Sequence, residues 1–232
     1  MADDRTLTLG LAGFGTVGSG LLHILSENRA EILSRAGCDI RVARILVRDP
    51  SRPRAEPLPE GSTLTTRMED LLEDPAIDVI VELMGGVDQA GELIRKALTA
   101  GKHVVTANKA LLAETGNSLF ALAHEKGLHL GYEASVCGGI PIVQTLRASL
   151  AGNRIESVEG ILNGPSNYIL SEITARRLPF AQALKTAQEP GSAEADPTLA
   201  IEGFAPAHKL ALLPRLPSTL ETPYPLLPVA AT

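Results

Sequence analysis

Short runs of hydrophobic residues alternate with longer segments whose apolar residues recur every three or four positions in the first half of the chain. The short runs predict buried strands, and the longer segments predict helices that turn one apolar face towards a core. The predicted strands are residues 7–12, 40–47, 78–83 and 102–106, with a shorter one near Thr63. The predicted helices are residues 17–35, 68–72, 88–100 and 109–126. This order predicts an α/β fold with a doubly wound parallel sheet.

The pattern changes after Glu133, and we expect a second domain there. A turn at residues 138–141 leads into a helix that ends near Leu150, and residues 154–162 alternate enough to predict a strand of a second sheet. Further helices are predicted over residues 165–176, 180–188 and 201–213. The predicted domains are residues 1–134 and 135–213, followed by a tail at residues 214–232. The tail is predicted to be irregular because of its prolines, Pro214, Pro217, Pro223, Pro225 and Pro228.

Composition narrows the class of protein. The chain is 44% hydrophobic and 21% charged, which is typical of a soluble globular protein. Its net charge of -6 gives no reason to expect a nucleic-acid partner, and we find no apolar run that predicts a membrane span. Cys38 and Cys137 are the only cysteines, so we expect a reducing, cytoplasmic location.

A glycine motif follows the first predicted strand directly and opens the first predicted helix. It reads Gly13-Phe14-Gly15-Thr16-Val17-Gly18. In this context the motif predicts a Rossmann turn, in which Gly13 allows a tight bend and Gly15 lets the backbone approach a pyrophosphate. Gly18 would let the helix pack closely on the strand, and the helix N-terminus would face the phosphates. The alternative is an ordinary glycine-rich turn.

The end of the second strand bears on the choice of cofactor. Arg48 comes first there and Asp49 follows. A guanidinium suits the 2′-phosphate of NADP, whereas an acidic residue suits the ribose hydroxyl of NAD. We expect NADP, while Asp49 keeps NAD open and a solvated arginine loop is the alternative.

Several segments resemble those of the homoserine dehydrogenase family. They include residues 13–20, 104–110, 132–142, 160–164, 167–170, 193–199 and 208–209. The resemblance implies NAD(P)H-dependent reduction of aspartate 4-semialdehyde to homoserine, a step in threonine and methionine biosynthesis. It also implies a small-molecule substrate, a homodimer, and a second domain for substrate binding and dimerisation.

The resemblance also assigns roles to residues. Lys209 matches the proton-donor lysine, and Lys109 matches a second lysine at cofactor and substrate. Glu194 matches the substrate-binding glutamate, and Gly191 matches a residue that binds the cofactor. By composition alone, Lys209 could equally be a surface charge and Glu194 an ordinary loop residue.

A monovalent cation such as sodium is a further implication of the resemblance. Its ligands map to Glu133 and to the backbone carbonyls of Val136, Gly138 and Ile140. These are the hard oxygen ligands that such an ion needs. Glu133 could equally cap the following helix.

The chain departs from the family pattern at three positions. Ser192, Ala200 and Ala205 replace an aromatic or aliphatic residue and two aspartates. An aspartate at position 205 would lie one helical turn before Lys209 and hold its ammonium, which Ala205 cannot do. The family also continues with further strands where this chain has its proline-rich tail, which indicates an incomplete α+β second domain in a truncated or degenerate member. We therefore expect impaired turnover, and a non-catalytic NAD(P)-binding homologue with a regulatory or interaction role is the alternative.

Overall fold

The computed structural model describes residues 5–188, 208–210 and 212–213. The chain divides into two compact units between Ser135 and Val136. The first unit contains the sheet, and the described part of the second unit is helical or irregular.

A six-stranded sheet forms the centre of the first unit, and every neighbouring pair of strands is parallel. The strands are β1 (Thr6–Ala12), β2 (Asp39–Leu46), β3 (Thr63–Thr65), β4 (Val79–Glu82), β5 (His103–Thr106) and β6 (Leu130–Gly131). Their order is β3-β2-β1-β4-β5-β6, so the direction of strand addition reverses between β1 and β4. This order confirms the doubly wound fold. Sheets of this kind bind ligands in a crevice at the point of reversal, which here lies beside the carboxyl end of β1.

Five helices connect these strands. They are α1 (Thr16–Glu27), α2 (Arg29–Ala36), α3 (Glu69–Leu72), α4 (Asp88–Thr99) and α5 (Lys109–Glu125). The single helix predicted over residues 17–35 is wrong. The helix is interrupted at Asn28, which has φ −105° and ψ 21°, so α1 and α2 are separate helices. Asparagine is a poor former of helix interiors and favours helix ends, although the Asn28 side chain makes no capping hydrogen bond here.

One part of the core of the first unit lies where α4 and α5 cover the central strands, and another part lies between α1 and the strands β1, β2 and β4. Ile80 and Val104 are fully buried in the sheet, and Leu93 and Leu98 of α4 are fully buried as well. Leu112 of α5 is also fully buried. The alternating strand and helix pattern of the sequence therefore corresponds to real buried faces.

The described part of the second unit includes the helices α6 (Ile142–Gln144), α7 (Gly164–Arg176) and α8 (Phe180–Gln188). After α6 the chain continues in π-helical form over Thr145–Ser149, and residues 208–210 are helical. Ile169 of α7 and Ala183 of α8 share a small buried cluster.

The strand predicted over residues 154–162 is wrong. These residues form no regular secondary structure, and Val158 and Ile161 are 40% and 76% exposed. A strand needs a hydrogen-bonded partner, and the described part of this unit contains no other strand to pair with. None of the helices in the described ranges is long and apolar enough to cross a membrane.

Candidate functional site

The glycine turn lies at the carboxyl end of β1, against the segment that follows β4. Gly13 has φ 104°, and a Cβ placed there would lie 2.6 Å from the backbone oxygen of Leu83. A Cβ at Gly18 would collide with the backbone oxygen of Gly13. Both positions therefore require glycine, because the obstructing atoms belong to the backbone.

The second glycine of the motif, Gly15, faces open space. A Cβ at Gly15 would have no neighbouring atom within 4 Å. Gly15 is the N-cap of α1 and has no side chain that could occupy the amides of the first turn, which begins at Thr16. Phe14 and Thr16 line the same opening, whereas Val17 is 60% exposed and is not among its lining residues. This arrangement leaves backbone donors available to an anion.

A crevice of about 1350 Å³ opens beside this turn. Its walls come from the glycine turn, from the end of β2 and its following loop, and from the segment after β4. They include Gly13, Gly15, Arg48, Arg52, Leu83, Met84 and Gly86. The size and the position at the switch point suit a dinucleotide, and the open backbone at Gly15 supplies the space that a pyrophosphate needs.

Arginines occupy the β2 side of the crevice in two different ways. Arg54 donates hydrogen bonds to the backbone oxygens of Asp49 and Arg52, at 2.7 and 2.6 Å, and lies 5.4 Å from the ring centre of Phe14. It therefore holds the loop together. Arg48 is exposed at the crevice wall, and within the described residues no ion pair or hydrogen bond is recorded for its guanidinium.

Asp49 is engaged by its own loop. One carboxylate oxygen accepts hydrogen bonds from the hydroxyl of Ser51 at 2.6 Å and from its backbone N–H at 2.9 Å. These bonds, the hydroxyl one above all, hold the pKa of the Asp49 carboxyl below its ordinary value. The acidic residue that could favour a ribose hydroxyl is thus used to shape the turn.

Glu82 is a residue of the site that the sequence patterns did not single out. It ends β4 and is fully buried. One carboxylate oxygen accepts from the backbone N–H groups of Met84 and Gly85, at 2.8 and 3.1 Å, and the other accepts from the Thr106 hydroxyl at 2.6 Å. An acidic residue inside the run Val-Ile-Val-Glu-Leu was the available signal.

Lys109 is the first residue of α5 and is half-buried. The preceding Asn108 caps this helix, because its side-chain oxygen accepts from the N–H of Leu111 at 3.1 Å. The Asn108 amide group also donates to the backbone oxygen of Gly86 at 2.6 Å. The start of α5 is thereby tied to the wall of the crevice.

The predicted cation ligands fall on both sides of the division between the units. Glu133 begins a 3-10 turn, Glu133–Ser135, in the first unit. In the second unit, Val136 is buried, Gly138 has φ 58°, and the backbone oxygen of Ile140 already accepts from the N–H of Ile142 at 2.8 Å. The described residues hold no cluster of three acidic, histidine or cysteine side chains, and the cation site, with Glu133 and three backbone oxygens as ligands, stays a prediction.

Lys209 lies in the second unit, where it is half-buried and its Nζ donates to the backbone oxygen of Leu162 at 2.9 Å. This bond directs the ammonium towards the irregular segment of residues 154–163. The positions of Gly191, Glu194, Ala200 and Ala205 lie outside the described residues, as does the tail.

Comparison with known proteins gives a consistent result. A family model described as homoserine dehydrogenase, NAD binding domain, matches residues 13–133, and one described as homoserine dehydrogenase matches residues 141–225. The chain is 47% identical to the homoserine dehydrogenase of Pseudomonas aeruginosa over 210 residues, which are 90% of this chain and 48% of that protein.

Solved structures agree with this assignment. The crystal structure of a homoserine dehydrogenase from Thiobacillus denitrificans is similar with a TM-score of 0.90 and 47% identity, covering 98% of this chain and 52% of that one. A hyperthermophilic archaeal homoserine dehydrogenase in complex with NADPH is similar with a TM-score of 0.77 and 25% identity, covering 92% and 70%. The chain spans about half the length of the curated relatives it matches. Since the two family models together match most of the sequence, the chain belongs to the homoserine dehydrogenase family.

Proposed function

We propose that the first unit binds a nicotinamide dinucleotide, and NADP in preference to NAD, in the crevice beside the glycine turn. The observation that carries this proposal is the backbone opening at Gly15, next to two glycines whose Cβ atoms would strike the backbone. The related archaeal protein was solved with NADPH, which supports the same cofactor here.

The preference for NADP rests on the charges of the β2 loop. Arg48 presents an exposed guanidinium to the crevice, while the Asp49 carboxylate accepts two hydrogen bonds from Ser51. A guanidinium binds a phosphate through charge-assisted hydrogen bonds, whereas a carboxylate repels it. Arg54 also lines the crevice, but its guanidinium is already bonded to backbone oxygens of the loop.

Fluorescence titration with NADPH and NADH tests this preference. Arg48→Ala is expected to raise the Kd for NADPH about tenfold or more and to leave the Kd for NADH within about twofold, because only NADPH carries the 2′-phosphate. Arg67→Ala is the matched control, since Arg67 is exposed and is not part of the crevice wall. Equal losses for both nucleotides would contradict the assignment of Arg48 to the phosphate.

For the reaction, we propose the family activity, which reduces the aldehyde of aspartate 4-semialdehyde to the alcohol of homoserine. The cofactor would supply a hydride to the aldehyde carbon. The chain would supply the proton for the developing alkoxide, and Lys209 is the proposed donor, with Lys109 at cofactor and substrate and Glu194 binding the substrate ammonium. A lysine ammonium can act as general acid when it is held in place, and the bond from Lys209 to Leu162 supports this role.

An assay of NADPH oxidation with aspartate 4-semialdehyde tests the reaction. Lys209→Ala is expected to lower kcat by about 10²–10⁴-fold without abolishing NADPH binding. Lys126→Ala on the surface of the first unit serves as control, because its side chain is 43% exposed. Turnover that survives in Lys209→Ala removes this lysine from the proposal.

A second candidate is a non-catalytic NAD(P)-binding homologue with a regulatory or interaction role. Ala200 and Ala205 favour it, since they stand where the family pattern has aspartates. Cofactor binding without turnover would support this candidate. A gain of activity in Ala205→Asp would instead support the first candidate, an enzyme of this family with impaired turnover.

A further inference from the structure

The buried carboxylate of Glu82 belongs to a closed ring of hydrogen bonds. Glu82 holds the N–H groups of Met84 and Gly85 and accepts from the Thr106 hydroxyl. The oxygen of that hydroxyl accepts from the N–H of Asn108 at 3.0 Å. Asn108 in turn donates to the backbone oxygen of Gly86, which closes the ring on the segment after β4.

The ring joins two neighbouring strand ends. Glu82 ends β4, and Thr106 ends β5 directly beside it in the register of the sheet. One part of the ring is the segment at residues 83–86, which lines the crevice, and the other is the cap that begins α5. A displacement of any member therefore shifts a wall of the crevice and the first turn of α5 together.

The ring also touches the glycine turn through Leu83. The position that a Cβ of Gly13 would take lies 2.6 Å from the Leu83 oxygen, so the two segments are in close backbone contact. The opening in which we place the cofactor lies beside this contact, and both segments line it. Movements of residues 83–86 would therefore change the shape of that opening.

Burial decides what Glu82 can do. Its side chain is fully buried, so it has no access to a ligand in the crevice. A buried carboxylate is retained only where donors compensate for lost water, and here three donors converge on it. Two of the three donors are backbone amides of the crevice wall, so the charge is used to fix that wall.

We infer that Glu82 is a positioning residue, which holds the segment 83–86 and the start of α5 in the geometry that accepts the nicotinamide half of the cofactor. The inference rests on the proposed function in this crevice. In doubly wound sheets the two halves of a dinucleotide lie on opposite sides of the switch point, so β4 and β5 serve one half and β1 and β2 the other.

Binding of NADPH and of 2′,5′-ADP to the Glu82→Gln variant separates these halves. The glutamine keeps an oxygen for the two amides but turns an NH₂ group towards Thr106, so the hydroxyl must accept a hydrogen bond instead of donating one, and its own hydrogen loses the acceptor in the ring. We expect the Kd for NADPH to rise about tenfold and the Kd for 2′,5′-ADP to stay within about twofold. Glu125→Gln on the exposed surface of α5 is the matched control. Equal weakening of both ligands, or no change in either, overturns the inference.

A pair of Thr106 variants keeps the test decisive if Glu82→Gln fails to fold. Thr106→Val removes the hydroxyl and should raise the Kd for NADPH about tenfold, while Thr106→Ser, which restores the hydroxyl, should recover most of that loss. Equal affinities in the two variants contradict a role for the ring.

Amide hydrogen exchange tests the ring without any cofactor. Residues 83–86 should exchange faster in Glu82→Gln and in Thr106→Val than in the wild type, because their bonds to the ring are weakened. If the wild type binds no NADPH, the proposed function fails, yet exchange still reports on the ring. Unchanged exchange in both variants rejects the inference.

Discussion

The two units treat their hydrophobic residues differently. In the first, α4 and α5 cover a parallel sheet, and large side chains such as Ile80, Leu93 and Leu98 are fully buried. In the second, Ile161, Leu170 and Phe180 are 76%, 55% and 48% exposed, and the cluster around Ile169 is small. The first unit therefore buries a core under its own helices although some of its large side chains stay exposed, whereas the described part of the second unit buries fewer large side chains.

Substitution of one leucine in each unit gives the largest contrast. Leu98→Ala should lower the free energy of unfolding of the first unit by about 2–5 kcal/mol, since it leaves a cavity under α4. Leu170→Ala should change stability by less than about 0.5 kcal/mol, because the side chain is mostly exposed. Urea unfolding with hydrogen exchange by segment measures both. Equal effects would show that Leu170 is covered in solution.

Glycine substitutions sharpen the comparison inside the first unit. Gly18→Ala places a Cβ against the Gly13 oxygen and should cost about 1–3 kcal/mol, with loss of NADPH binding. Gly20→Ala, on the same helix, meets no atom within 4 Å and should be neutral or stabilise by up to about 1 kcal/mol. Thermal unfolding and nucleotide titration of the two variants check this. A Gly18→Ala variant as stable as Gly20→Ala would mean that the turn can relax.

Helix caps allow a direct comparison between units. Asn108 caps α5 with a hydrogen bond of 3.1 Å to Leu111, and Asn163 caps α7 with a longer one of 3.4 Å to Ser166. Asn163→Ala should cost about 0.5–1 kcal/mol, in the range for a lost cap, and Asn108→Ala about 1–2 kcal/mol, because it also removes the bond to the Gly86 oxygen. Chemical unfolding of each variant gives the values, and the reverse order would contradict the contrast.

The smallest expected effect is the weakening by acid of the contact that Asp39 makes with Arg29 and Arg41 on the first unit. Hydrogen bonds from Arg29 and Arg41 lower the pKa of Asp39 from 3.8 to about 2. A lowered carboxyl pKa stabilises the fold above the unfolded value, so this contribution is complete above about pH 4 and is lost as the pH falls through about 2. Asp39→Asn should remove that part of the pH dependence. If the stability curves of wild type and variant stay parallel between pH 4 and pH 2, Asp39 makes no pH-dependent contribution.

Long periodic segments of the sequence predicted their elements well. The pattern at α4 and α5 gave helices that end within one residue of those observed, because a wide apolar face fixes both length and orientation. The two-residue strand β6 was not predicted, since two residues carry no period. Residues 154–162 alternate like a strand, but a strand depends on a partner elsewhere in the chain.

The candidate site divides in the same way. The glycine motif and Arg48 could be identified as candidates because each lies within a few residues of a strand end. The role of Glu82 could not, because its partner Thr106 is brought beside it only by the pairing of β4 with β5. Likewise, the sequence could not show that Ser51 occupies the carboxylate of Asp49 or that Arg54 bonds to its own loop.

The contact between Gly13 and Leu83 has a consequence for the order of folding. These residues are separated by the whole stretch of chain that contains β2, β3 and α3. A growing chain that ends just after the glycine motif lacks the opposite wall of the crevice. The crevice forms only when β4 has paired with β1. Cofactor can therefore bind only to the assembled sheet, so at a hundred times its Kd it would stabilise that assembly by about 2.7 kcal/mol.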